Sequence, residues 1–327
     1  MKRLIIPFLV ALVISGPPVY GIAAQTGVQT SKRGLAAATT PLPDGVSAKD
    51  VTFFSEGVQC HGRIFTPPGF TDQSKAPAVV LAPGWGQTES SVESFATSFA
   101  ASGLVAMAID YRGWGKSGGF VQTVNEVKTD DRLRFSQMTA RVQIRRKRLV
   151  PQHQILDIRN ALYFLQGEPG VDRTRVGVWG TGMAGGHAIV IAATDARIKA
   201  VVADTPIIEG KDTPRKASSH TGAMLKADQR RARTNGEVGP VGELNDIEAR
   251  LALSEYHPFW YLEQVPKTTP VLFVTKASDV KSTEIAEAAS KRLAGPTDVV
   301  RIPGEFSAGK TADATSKAAA DWFLKHL

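Results

Sequence analysis

From Asp50 onward the chain alternates short apolar runs with longer stretches of helical spacing. Val51-Thr52-Phe53-Phe54 and the segment from Val58 to Phe65 predict an opening hairpin. Ala78-Val79-Val80-Leu81 is a continuous apolar run, the pattern of a strand buried on both faces. Phe95, Phe99 and Leu104 then mark a helix and its exit into a strand from Leu104 to Asp110. Ile155, Ile158, Leu162 and Leu165 recur at helical spacing and precede a strand from Arg175 to Trp179. Further strands are predicted from Ile198 to Ala203, Pro270 to Thr275 and Val299 to Ile302, and a helix from about Ala312 to His326 closes the chain. Strands alternating with helices of this length imply an α/β fold, a mainly parallel sheet with helices on both faces. No internal repeat is visible.

The first residues have a different pattern. Met1-Lys2-Arg3 precedes a largely apolar run from Leu4 to Ser15, broken by Gly16-Pro17-Pro18. Gly21-Ile22-Ala23-Ala24-Gln25 then offers small residues for cleavage. This is the layout of a Sec signal peptide over residues 1–23, which would place the mature protein in the periplasm or outside the cell. The alternative is an uncleaved anchor, but a span needs roughly 20 apolar residues. No cysteine follows the run, so a lipid-anchored mature terminus is not expected. Residues 24–49 lack apolar periodicity and read as a flexible leader, leaving 50–327 as the α/β domain. The one cysteine, Cys60, lies in a strand pattern and reads as a packed core thiol; a reactive one would want a cationic, partly exposed setting.

The candidate chemistry centres on Val176-Gly177-Val178-Trp179-Gly180-Thr181-Gly182-Met183-Ala184-Gly185-Gly186-His187. A strand runs into small residues and a helix follows, as in the elbow that holds a serine nucleophile on a tight turn. Gly180 and Ala184 supply the small flanking residues. The central position is Gly182, which has no oxygen, no sulfur and no side chain.

Three further motifs accompany the elbow: Leu81-Ala82-Pro83-Gly84-Trp85-Gly86-Gln87-Thr88, Asp110-Tyr111-Arg112-Gly113-Trp114-Gly115-Lys116-Ser117-Gly118-Gly119, and Trp322-Phe323-Leu324-Lys325-His326-Leu327. With them the chain resembles the dienelactone-hydrolase and X-Pro-dipeptidyl-peptidase-like branch of the α/β-hydrolase superfamily. The resemblance covers about residues 50–327 and implies an α/β-hydrolase fold with a cap inserted at about 120–150 and 205–256. It implies a serine at position 182, an acid at Asp279, and a histidine in the segment Ile302-Pro303-Gly304-Glu305-Phe306-Ser307, where Ser307 stands instead. It places oxyanion-type backbone donors around Gly84, Trp85 and Met183, although the usual His-Gly of that loop is Pro83-Gly84 here.

Acyl transfer through serine needs a nucleophile, a base that takes its proton, and an acid that orients the base. Of these only the acid position, Asp279, is retained. Each of the histidines, His61, His153, His187, His220, His257 and His326, reads better as structural than as a relocated base, and Thr181 is expected to point away from the pocket. No paired cysteines, His-x-His or His-Glu-x-x-His spacing marks a metal site, and the elbow glycines do not form a dinucleotide fingerprint, so no cofactor is expected.

Charge changes the picture once more. The chain carries a formal +8. Residues 126–148 hold eight basic residues against three acidic ones, among them Arg145-Arg146-Lys147-Arg148; residues 211–233 hold seven against two. Both segments follow strand ends and would give the cap a basic face. This is either a solvated surface or an attraction for an anionic ligand or an anionic envelope surface. Export makes nucleic acid a poor partner. Two functions remain open: a ligand- or partner-binding pseudoenzyme, or an enzyme, either a hydrolase with a relocated base or a cofactor-free lyase, cyclase or transferase using the oxyanion pocket.

Overall fold

The computed structural model describes residues 41–124, 132, 138–208, 233, 252, 255–303 and 310–327. The signal segment, most of the leader, part of the first cap insertion, most of the second, His220 and Ser307 lie outside the described residues. The opening hairpin is β1 (Ser47–Ser55) and β2 (Val58–Thr66). It is followed by β3 (Ala76–Ala82), α1 (Glu93–Ala101), β4 (Val105–Ile109), the short β5 (Phe120–Thr123) and β6 (Val142–Arg145), and α2 (Pro151–Gln166). Then come β7 (Val171–Thr181), α3 (Met183–Thr194), β8 (Ile198–Asp204), β9 (Val271–Lys276), α4 (Val280–Ser290), β10 (Thr297–Ile302) and α5 (Lys310–His326).

Eight strands form one sheet in the order β1-β2-β4-β3-β7-β8-β9-β10. β1 and β2 pair antiparallel, as do β2 and β4; every later pair is parallel. Alternate residues of each strand enter opposite faces. Ala78 and Val80 of β3 pack with Ile158 and Leu162 of α2 and with α3. Val79 and Leu81 pack on the other side with Phe99 of α1 and Phe323 of α5. Each fully buried side chain of this size contributes roughly 1.5–3 kcal/mol. Both faces are therefore covered, which is why the strands read as unbroken apolar runs.

The chain enters the sheet at Ser47, three residues before the expected domain boundary, because Ser47, Ala48 and Lys49 pair with Thr66, Phe65 and Ile64. The β5–β6 ribbon was not predicted: Val121, Val142 and Ile144 are exposed and carry no burial pattern. Helix α4 also lacked a strong signal, since its buried residues are only Thr283, Ala286 and Ala289. Cys60 is buried as expected, and burial pushes its thiol up to about 12.

Candidate functional site

β7 ends at Thr181 and α3 begins at Met183, with Gly182 between them at φ 57° and ψ −119°. Such angles belong to the first central position of a type II′ turn, which glycine dominates. The Gly182 N–H donates to the Asp204 carbonyl at 2.9 Å, and its own carbonyl accepts from the N–H groups of Gly185 (3.1 Å) and Ile207 (2.9 Å). The turn is thus pinned by α3 and by the exit of β8. At Gly180 a Cβ would lie 2.2 Å from the Ala184 carbonyl oxygen, so the turn closes only without a side chain there. At Gly182 a Cβ would meet nothing within 4 Å. Position 182 has room for a side chain and presents none.

Gly182 lines a cavity of about 610 Å³, together with Trp85, Thr181, Asp204, Lys276, Asp279 and apolar side chains such as Ile207, Ile208 and Ile285. Thr181 therefore borders the cavity rather than turning from it, and its hydroxyl bonds Asp204. Asp279 lines the cavity and also caps α4. Its Oδ1 accepts from the Ser282 N–H at 3.0 Å and its Oδ2 from the Ser282 hydroxyl at 2.6 Å. These bonds hold its carboxyl below the ordinary aspartate value. Of the oxyanion-type positions, Trp85 lines the cavity, the Gly84 N–H is occupied by Gln87 Oε1 at 3.1 Å, and Met183 is the first residue of α3. An amide there has no acceptor within its own helix.

Sequence reasoning missed Asp204. The parallel register sets Thr181 against Asp204, so the end of β8 faces the elbow. Loss of water raises the proton affinity of Asp204, opposed by bonds from Thr205 and Thr181 and by the charge of Lys276. Thr205, next in the chain, has φ 44°, a left-handed backbone that costs a threonine about 1–3 kcal/mol. A strained residue beside a half-buried carboxylate at a cavity mouth is a common mark of a functional site.

No histidine of the described residues lines the cavity. His187 is fully buried on α3 itself, with Nε2 3.1 Å from Gln154 Oε1 and Nδ1 2.8 Å from the Tyr256 hydroxyl. Burial lowers its pKa to about 3. Above pH 6.5, the unfolded value, both states are neutral and the packing contributes fully. As pH falls from there towards 3, the unfolded chain takes up a proton that the folded chain refuses, so stability should fall by about 1.4 kcal/mol per pH unit from this group. Urea midpoints of the native protein and His187→Gln at about pH 7.5 and pH 5 test this: the acid loss should be smaller in the variant. Equal losses would assign it to other groups.

The first basic segment is engaged locally. Arg146 donates to the Ser117 and Gly115 carbonyls at 2.6 Å each, and Arg148 lies over the Phe120 ring at 5.2 Å. No described residue of that segment lines the cavity.

The acetyl xylan esterase (AXE1) family matches residues 34–211, more than half of the chain. The chain belongs to this family. The match to AXE1 includes the Pro83–Trp85 loop, the Asp110–Gly119 motif and the elbow, and ends before Asp279 and Ser307. Among relatives, the quorum-quenching protein AidA of Acinetobacter baumannii is 28% identical over 162 residues, 49% of this chain and 44% of that protein. This AXE1 member thus spans less than half the length of that relative. A hypothetical protein from Pseudomonas aeruginosa has a solved structure that aligns with a TM-score of 0.67 at 20% identity, covering 88% of this chain and 96% of the other. A dienelactone hydrolase from Anabaena variabilis aligns at 0.53 and 18% identity, covering 86% and 99%. The AXE1 assignment and these neighbours place the fold in the dienelactone-hydrolase-like branch of the α/β-hydrolase superfamily.

Proposed function

We propose that this protein is an exported, non-hydrolytic member of its family that uses the cavity to bind a small ligand. One observation carries the reading: the elbow keeps its backbone and its open space but presents no nucleophilic atom at Gly182. The acid supports it, because both oxygens of Asp279 are committed to Ser282. A hydroxyl at Ser307 has too high a pKa to serve as a base at neutral pH. The lining pairs lysines and carboxylates with Trp85 and several aliphatic side chains, which suits a small organic molecule with a polar head and an apolar body. The purified protein should resist labelling by a fluorophosphonate and hydrolyse p-nitrophenyl acetate at the buffer rate. Stoichiometric labelling of any serine or threonine would overturn the reading. Protein recovered from the envelope should begin near Ala24; an intact Met1 on cytoplasmic protein would remove the export.

A second reading, a cofactor-free lyase or related proton-transfer enzyme, is favoured by one feature, the raised proton affinity of Asp204 at the cavity. Turnover that survives Gly182→Ala and disappears in Asp204→Asn would select it.

A further inference from the structure

A second cluster of ligating side chains stands apart from the cavity lining. His61 of β2, Glu89 in the 3-10 turn that follows the Trp85 loop, and Asp110 at the exit of β4 each bring one ligand atom within 4.8 Å of the others. Sequence spacing hides the set, because strand pairing assembles it. β2 runs antiparallel to β4 and the Asp110 N–H donates to the His61 carbonyl at 2.9 Å.

The three groups are unevenly satisfied. Asp110 is 1% exposed; its Oδ1 accepts from the Glu89 N–H at 2.8 Å and its Oδ2 from the Lys116 N–H at 2.7 Å. Two backbone amides thus fix the position of this carboxyl group. Glu89 is 4% exposed, and its Oε1 has no hydrogen-bond partner. Neither ring nitrogen of His61 has one, and Nδ1 lies 3.6 Å from Asp110 Oδ2. His61 Nε2 faces Asp50 Oδ1 at 3.8 Å, on the other edge of the ring. Buried polar atoms are nearly always paired, so two orphans beside a fixed carboxylate, Glu89 Oε1 and His61 Nδ1, need an explanation.

The flanking cations do not supply it. Arg63 pairs with Glu93 at 2.8 Å and with Asp50 at 3.6 Å, and the Lys116 ammonium is 3.9 Å from Asp50. These positive charges are matched on the outer side of the cluster, by carboxylates other than Glu89 and Asp110.

We propose that His61, Glu89 and Asp110 bind a first-row divalent cation, with Zn²⁺ as the first choice. One imidazole and two carboxylates form a borderline donor set that suits zinc better than calcium or magnesium. Ligand atoms about 2.0–2.2 Å from zinc stand roughly 3–3.5 Å apart, so the set tightens by about 1 Å on binding. The cation uses the orphan Glu89 oxygen and an imidazole nitrogen together. It ties β2, β4 and the turn behind Trp85 into one unit and so fixes a wall of the cavity.

The test uses the full mature chain, stripped with chelator and titrated with ZnCl₂, read by calorimetry and by thermal melting. One equivalent should bind and raise the melting temperature. Glu89→Gln and His61→Gln should each weaken the affinity by roughly 100-fold or more, since changes even to groups that merely support a metal's ligands cost 10–100-fold. Cobalt substitution adds a visible absorption spectrum that either variant should lose. Absence of binding, or binding that both variants retain, would overturn the site. So would a metal-indifferent protein that Glu89→Gln stabilises, which would show that Glu89 and Asp110 share a proton instead. If Glu89→Gln does not fold, His61→Gln and the cobalt spectrum decide.

Discussion

Asp157→Ala should destabilise the protein by about 3–5 kcal/mol, the cost of leaving a buried charge unpaired. The charge left behind is Arg112, which is 3% exposed while Asp157 is 0% exposed. The Arg112 N–H donates to Asp157 Oδ2 at 2.9 Å, and its Nε donates to Oδ1 at 2.7 Å. Nη1 reaches Glu56 Oε2 at 2.6 Å and Nη2 reaches the Ser55 hydroxyl at 2.5 Å. One guanidinium therefore joins the β1–β2 turn, the loop after β4 and helix α2. Burial raises the Asp157 pKa more than its arginine partner lowers it, so the pair depends on its geometry. Replacing both partners, as in Arg112→Met with Asp157→Leu, should cost less than Asp157→Ala alone, because no charge is stranded. Urea denaturation of the three proteins provides the comparison. A loss under about 1 kcal/mol for Asp157→Ala would mean that water or Glu56 satisfies Arg112 after the change.

This network also explains part of what was legible in the sequence. The Asp110–Gly119 motif pointed to the family, and Arg112 and Ser117 within it hold neighbouring segments together. Arg112 makes the ion pair, and Ser117 donates to the Asp110 carbonyl while accepting from the His61 N–H. The alternation of apolar runs was readable because β3, β4, β7, β8 and β9 are covered on both faces. The elbow was readable because its turn leaves no room for side chains at Gly180. Other features depend on distance in space. Asp204 reaches the elbow only through the β7–β8 register, and His61, Glu89 and Asp110 meet only after β2 pairs with β4. Asp279 was readable twice over: Asp279-Val280-Lys281-Ser282 is also a helix N-terminus signature, with an acceptor at the cap and a donor three residues on. The serine of that signature, Ser282, bonds both carboxylate oxygens.

The same occupancy bears on the elbow and on the proposed function. Gly182→Ser should fold, because its Cβ meets nothing within 4 Å. It should nevertheless be less stable by about 1–3 kcal/mol, since a serine must take a backbone conformation that favours glycine. It should gain no hydrolysis, because no histidine of the described residues lines the cavity to take its proton. Adding Ser307→His restores the residue that the resemblance places at that position. A positioned base is worth about 10²–10⁴-fold, so the double variant should hydrolyse p-nitrophenyl acetate at least 100-fold faster than Gly182→Ser and should label with fluorophosphonate. Ser282 sets the ceiling: while it holds both Asp279 oxygens, the acid competes poorly for the new imidazole. Ser282→Ala removes the hydroxyl bond and should raise the activity of the double variant further, at some cost to the α4 cap. A Gly182→Ser protein more stable than its parent would refute the strain argument. A folded triple variant that stays inert and unlabelled would show that Gly182, Asp279 and Ser307 do not converge, and the lost-triad reading would fall with it.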